Sequence, residues 1–156
     1  MNISIIGLGY VGCTTAACLA YNSISVIGVD VHQKKVDLIN NGKGTFKEDL
    51  IHELIHTAVT NKHLRATTDQ NEAILNSDIS FICVGTPSKA SGEADLEALR
   101  RTCADIGAVL KEKKSFHTVV VRSTIPPGTT ENMLVPLLEK ASGKKAFKDF
   151  DVCVNP

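Results

Sequence analysis

The sequence predicts a doubly wound α/β domain, a parallel sheet of about six strands covered by helices on both faces in three αβα layers. Three observations carry this. Short apolar runs alternate with longer helical patterns along all 156 residues, as parallel strands joined by crossover helices require. Six such runs can be counted, the number in the doubly wound order 3-2-1-4-5-6. A glycine-rich turn, "GLGYVG", joins the first strand to the first helix.

Taken in order, "NISIIG" (2–7) is an Ile-rich strand, and "YVGCTTAACLAYN" is a helix of small residues able to lie close to a sheet. "ISVIGVD" (24–30) is a second strand of buried type, and "HQKKVDLINNG" an amphipathic helix ending near Gly42. After a loop around "KGTFKE", the helix "DLIHELIHTAV" sets Leu50, Ile51, Leu54, Ile55 and Val59 on one face. "LRATT" and "DISFICVGTP" are strands separated by the short helix "NEAILNS". A long amphipathic helix, "DLEALRRTCADIGAVLKEK", leads to the strand "HTVVVRST". "PPGTTENMLVPLLEKASG" reads as a loop and a helix interrupted or bent near Pro136, before the last strand in "DFDVCVNP". One domain accounts for residues 1–156.

Composition narrows the function. Seventeen basic residues balance 17 acidic ones, which leaves no electrostatic footprint for nucleic acid or an anionic membrane. Only 4% of residues are aromatic, too few for base-stacking platforms. Small molecules or other proteins are the expected partners. The first 29 residues carry no charged side chain, yet no basic stretch precedes "ISIIGL" and glycines and polar residues interrupt the run, so neither a signal peptide nor a membrane span is expected. Five cysteines, Cys13, Cys18, Cys83, Cys103 and Cys153, include no C-x-x-C pair and leave an odd one over. Free, mostly buried thiols in a reducing cytoplasm fit better than a disulfide framework.

Gly7, Gly9 and Gly12 form a G-x-G-x-x-G that directly follows a strand and opens a helix, the context in which that pattern binds a dinucleotide. Gly7 permits the tight turn, Gly9 lets a diphosphate approach the backbone, and Gly12 lets the helix pack against the strand. Asp30 ends the second strand, where a carboxylate accepts hydrogen bonds from ribose hydroxyls and repels a 2′-phosphate. Val31-His32 supplies no arginine to neutralise one. NAD is thus the expected cofactor rather than NADP. The alternative is a turn that binds nothing, with Asp30 capping the next helix.

"HELIH" (52–56) fits the H-E-x-x-H pattern of zinc proteases. A metzincin would continue with glycine at position 59 and histidine at 62, which here are Val59 and Lys62. With Ile51, Leu54 and Ile55 facing a core, His52, Glu53 and His56 are expected toward water, and no metal site is expected.

"ISIIGLGYVG", "VIGVD" with Lys35 following, "FICVGTPS", "VVVRSTIPPGT" and the terminal "VNP" resemble the N-terminal NAD-binding (Rossmann-type) domain of nucleotide-sugar 6-dehydrogenases, over the full length and in family order. "CVGTPSKASGEADL" and "ASGKKAFKDFDV" are more similar to the GDP-mannose branch than to the UDP-glucose branch. The resemblance implies that Tyr10 and Val11 contact the cofactor diphosphate through their backbone. It implies that Asp30 and Lys35 hold the adenosine ribose, and that Thr86 and Thr124 border the nicotinamide half. Helix lysines and turn-capping threonines would look the same without it.

It further implies oxidation of a sugar C6 alcohol to a carboxylate with two NAD⁺, in polysaccharide biosynthesis, through a cysteine that captures the aldehyde covalently. In the family that cysteine, its helpers and the sugar-nucleotide contacts lie after the "NP" segment, so no catalytic residue is assigned in these 156 residues. A sugar nucleotide is therefore expected to bind only through further domains. Oligomeric state stays open, a homo-oligomer of the full-length enzyme included. A stand-alone NAD-binding module is the alternative, with a 3-hydroxyacyl-oxidising dehydrogenase a further one. Cys83, the best local candidate for a nucleophile, has no cation or base among its sequence neighbours and reads as buried and structural. One loop departs from the family pattern: Thr45-Phe46-Lys47-Glu48-Asp49-Leu50 keeps Glu48 and lacks the usual prolines.

Overall fold

The computed structural model describes residues 1–155. Strands β1 (Asn2–Ile6), β2 (Ser25–Val29), β3 (Leu64–Thr67), β4 (Ile79–Ile82), β5 (Thr118–Val121) and β6 (Asp151–Val154) form one sheet in the order β3-β2-β1-β4-β5-β6. Every adjacent pair is parallel. The order reverses between β1 and β4, which opens a crevice at the carboxyl ends of these two strands.

Among the described residues six α-helices cover the sheet: α1 (Tyr10–Tyr21), α2 (Gln33–Asn40), α3 (Asp49–Thr60), α4 (Gln70–Leu75), α5 (Glu97–Glu112) and α6 (Val135–Ser142). Side-chain alternation along β1 divides the core. Ile3 and Ile5 join Ala16, Ala17 and Ala20 of α1 and Ile55 of α3 in one buried cluster. Ile6 joins Ile74, Leu99, Ile106 and Leu138 of α4, α5 and α6 in the other. The small residues of α1 let it lie directly on the strands.

Leu50 is exposed rather than part of the α3 stripe, whose buried positions are Ile51, Ile55 and Ala58. Leu50 occupies the first turn, where it precedes the packed stretch of the helix. The bend expected near Pro136 takes a specific form. Residues Thr130–Leu134 make a π turn that runs straight into α6, and the Val135 N–H donates to the Thr130 carbonyl five residues back. Proline cannot donate the regular helical bond, and a widened turn just ahead of it accommodates the lost register.

A buried polar ladder runs across the amino-terminal half of the sheet. Ser4 Oγ lies 2.6 Å from Ser80 Oγ, Ser77 Oγ donates to Ser4 Oγ at 3.0 Å, and Ser80 Oγ sits 2.8 Å from His117 Nε2. Beside it the buried Lys113 ammonium donates to the carbonyls of Ile74 (2.7 Å), Leu75 (3.1 Å) and Ser77. Two of these carbonyls belong to the last turn of α4, whose terminal carbonyls lack helical donors, and the third lies just beyond it. Burial lowers the Lys113 pKa, opposed by Asp78 and reinforced by Lys144.

Cys13 and Cys103 are buried and Cys83 is partly so, but Cys18 and Cys153 are exposed, contrary to the expectation of mostly buried thiols. Each lies on the outward side of its element, which an apolar sequence context does not reveal. No helix among the described residues is long and apolar enough to cross a membrane.

Two outcomes follow from the ladder. Burial first, and the nearby Lys113 charge second, push the His117 pKa from 6.5 down to about 4. The folded state therefore binds fewer protons than the unfolded chain between these values. Stability should be complete above pH 6.5 and fall by about 3 kcal/mol as the pH drops toward 4, and His117→Gln should flatten that slope in thermal melts. Lys113→Met should cost about 1–3 kcal/mol in urea unfolding by stranding buried carbonyls.

Candidate functional site

The glycine turn sits where β1 ends and α1 begins. Gly7 adopts φ +99°, and a Cβ there would lie 2.9 Å from the Cys83 carbonyl oxygen. A Cβ on Gly12 would fall 1.8 Å from the Gly7 carbonyl oxygen. Only glycine serves at either position. Gly9 differs: its φ is −78° and a Cβ would meet nothing within 4 Å. The protein itself does not require glycine there, so the empty space in front of it is space kept for something else.

The start of α1 is bare. Its first bond runs from the Cys13 N–H to the Gly9 carbonyl at 2.9 Å, so the amides of Gly9, Tyr10, Val11 and Gly12 have no partner within the helix. Gly9 supplies no capping side chain and the first turn holds no acidic residue. By contrast, Asp69 caps α4 by accepting from the Glu72 N–H at 2.9 Å. Unsatisfied amides at the positive end of a twelve-residue helix form an anion-binding surface.

Asp30 closes the site from the β2 side. Its Oδ2 accepts from the Leu8 N–H at 2.9 Å and from Lys35 Nζ at 2.8 Å. Its Oδ1 accepts from the His32 N–H at 3.0 Å and lies 2.9 Å from His32 Nδ1. Burial would raise its pKa, but the Lys35 ammonium and the His32 and Leu8 donors outweigh that and hold it at about 2. The carboxylate is charged throughout the physiological range. His32, and not Asp30, is the N-cap residue of α2. Asp30 braces the glycine turn from the side, a role that neither a ribose contact nor a helix cap includes.

Gly7, Gly9, Asp30 and Lys35 line one cleft of about 350 Å³, together with His32 and Gly85, within the roughly 300–1,000 Å³ range of small-molecule sites. A cleft of about 530 Å³ opens at the other edge, between the starting residues Asn2, Ser25 and Leu64 of three strands. Parallel sheets bind ligands at carboxyl ends, which favours the smaller cleft.

Thr86 and Thr124 meet beyond it, past the ends of β4 and β5. The Thr86 hydroxyl donates to the Thr124 carbonyl at 2.9 Å, and Ser123 Oγ donates to the Val84 carbonyl at 2.6 Å. Tyr10 and Val11 are exposed, and the Tyr10 ring stacks on Phe46 with centroids 4.2 Å apart. The loop that departs from the family pattern is thereby folded against the first turn of α1.

One expectation needs correction. His52 does not simply face water: it is half-buried, and its Nδ1 accepts from the Gly44 N–H at 2.8 Å. It holds the loop between α2 and α3, a role that helical spacing cannot disclose. No group of three or more His, Cys, Asp or Glu among the described residues is arranged to hold a metal. Cys83 does have a cation near it, Arg122 from the neighbouring strand end. Burial nevertheless dominates and pushes the thiol up to about 11, so it stays protonated and weakly nucleophilic.

Sequence reasoning missed Gly85 and His32 as cleft residues. "CVGTP" carried the signal for Gly85, a glycine just past a strand end, whose added Cβ would also meet nothing within 4 Å.

The model of the UDP-glucose/GDP-mannose dehydrogenase family, NAD binding domain, matches residues 1–156. GDP-mannose 6-dehydrogenase of Pseudomonas savastanoi pv. phaseolicola is 51% identical over 156 residues, covering 100% of this chain and 36% of that protein. UDP-glucose 6-dehydrogenase AglM of Haloferax volcanii is 39% identical over the same coverage. The crystal structure of a ternary complex of GDP-mannose dehydrogenase from Pseudomonas aeruginosa superposes with a TM-score of 0.98 at 51% identity, again over 100% of this chain and 36% of that one. The chain thus spans about 36% of the length of the relatives it matches. With its parallel six-stranded sheet and uncapped glycine turn, the chain belongs to the UDP-glucose/GDP-mannose dehydrogenase family, as its NAD-binding domain.

Proposed function

We propose that the chain is the cofactor-holding part of a nucleotide-sugar 6-dehydrogenase of the GDP-mannose type. In this reading the amides of Gly9, Tyr10, Val11 and Gly12 hold the diphosphate of NAD. Gly7 shapes the turn, Asp30 and Lys35 take the adenosine ribose, and Thr86 and Thr124 border the nicotinamide half. The observation that carries it is Gly9, an unforced glycine facing open space beside four amides without helical acceptors. The 51% identity to GDP-mannose 6-dehydrogenases supports that branch over the UDP-glucose branch at 39%.

The fit to the ribose asks one thing of Asp30. Both of its oxygens are already engaged, two of the four donors being fixed backbone amides and two being side chains, Lys35 and His32. The exposed His32 ring is the donor best able to yield a lone pair to a hydroxyl, while Lys35 turns to the same ribose. A 2′-phosphate would approach a buried carboxylate at short range, which disfavours NADP.

Bound here, NAD⁺ would supply the hydride acceptor for oxidation at the sugar C6. The residues of this chain bind and orient it. We assign them no proton transfer and no nucleophile. Sugar-nucleotide binding and covalent chemistry belong to the remaining length found in the relatives, and assembly into an oligomer would involve that length too.

Calorimetric titration of the chain with NAD⁺, NADP⁺ and GDP-mannose should show binding of NAD⁺ alone. Tight GDP-mannose binding would overturn the division of labour, and a preference for NADP⁺ would overturn the role of Asp30. Asp30→Ala should weaken NAD⁺ by about 1–3 kcal/mol, the loss of charge-assisted hydrogen bonds. Two glycine variants separate binding from folding. Gly9→Ala should leave the melting temperature nearly unchanged and weaken NAD⁺ at least tenfold, roughly 1.4 kcal/mol. Gly12→Ala should instead lower the melting temperature, because its methyl group has no room.

A further inference from the structure

Gln70 is a cleft-lining residue that the family motifs do not include. It is the first residue of α4, just past the carboxyl end of β3, and it lines the cleft with Asp30, Val31 and Ala98. Its Nε2 is buried and has no hydrogen-bond partner among the described residues. Few native side chains leave such a donor unmatched, and a buried polar group without a partner calls for an explanation. Its neighbours do not need it: Asp69 already caps α4. Rotation of the carboxamide about its last torsion, which is soft, is the movement that would bring that donor to the cleft.

The strand order says what would meet it. In the sheet β2 lies between β1 and β3, so the ends of the three strands present the glycine turn, then Asp30, then the segment leading to Gln70. A dinucleotide with its diphosphate at the first and its ribose at the second has its purine base at the third. The exposed Val31 and the small Ala98 line the same cleft. A glutamine carboxamide matches adenine on one edge, where the amide N–H donates to N7 and the amide oxygen accepts from the N6 amine.

We propose that Gln70 is a specificity-determining residue that reads the adenine base of the dinucleotide through its N7 and N6 edge. The inference rests on the cleft being the dinucleotide site. Hypoxanthine in place of adenine turns the N6 donor into an oxygen acceptor, so one of the two bonds is lost and a lone-pair clash replaces it.

The test is calorimetric titration of the chain with NAD⁺ and with nicotinamide hypoxanthine dinucleotide. The unaltered chain should bind NAD⁺ about tenfold more tightly. In Gln70→Leu, and in Gln70→Met should the first variant fold poorly, NAD⁺ should weaken by a similar factor and the two dinucleotides should come within about twofold of each other. Equal affinity of the unaltered chain for both dinucleotides overturns the role of Gln70 and leaves the cleft assignment standing, and it requires no variant. Undiminished discrimination in the variants overturns it likewise. Absence of NAD⁺ binding, or NAD⁺ binding that Asp30→Ala leaves untouched, overturns the cleft assignment and this inference with it.

Discussion

The contact between the Gly12 position and the Gly7 carbonyl is the constraint on which this domain turns. With no Cβ between them, the first helix begins directly against the end of the first strand. That approach points the helix's open amides across the sheet edge, and the Leu8 N–H, instead of adding to them, is taken by the buried Asp30 carboxylate. The turn is thus held from below by glycine sterics and from the side by a charge. A helix end fixed so firmly keeps its unsatisfied donors in place without a ligand, and rigid donors lose less entropy on binding.

Most of the fold was legible because its periodicities are strong. Ile-rich runs in "NISIIG" and the Val run in "HTVVVRST" could only be buried strands, and the long stripe from Leu99 to Leu110 could only be one face of a helix. What stayed hidden was decided by contacts distant in sequence. Nothing around Ser4 announces that it meets Ser80 and, through it, His117. Nothing around Lys113 announces that its ammonium ends inside the protein. Such groups read as surface until the sheet brings their partners across.

The candidate site divides in the same way. The glycines, Asp30 and Lys35 lie close together in sequence, and their spacing carries their geometry; the 2.8 Å Lys35–Asp30 pair is one helical turn past a strand end. Thr86 and Thr124 belong to separate loops whose meeting depends on β4 and β5 being neighbours. Phe46 is the least foreseeable member. It stands in a loop without the prolines its family commonly has, and it finds an aromatic ring on the first helix instead. A stacked pair gives the loop an anchor that proline would have supplied by stiffness.

The π turn at Thr130–Leu134 has a consequence for chain length. A helix wound there with its bonded partners five positions apart carries one residue more than a regular helix spanning the same distance. Removing that surplus would tighten the coil to its ordinary pitch while Leu138 and the rest of α6 kept their seats against α5. This stretch is consequently where the domain can lose a single amino acid without any rearrangement downstream.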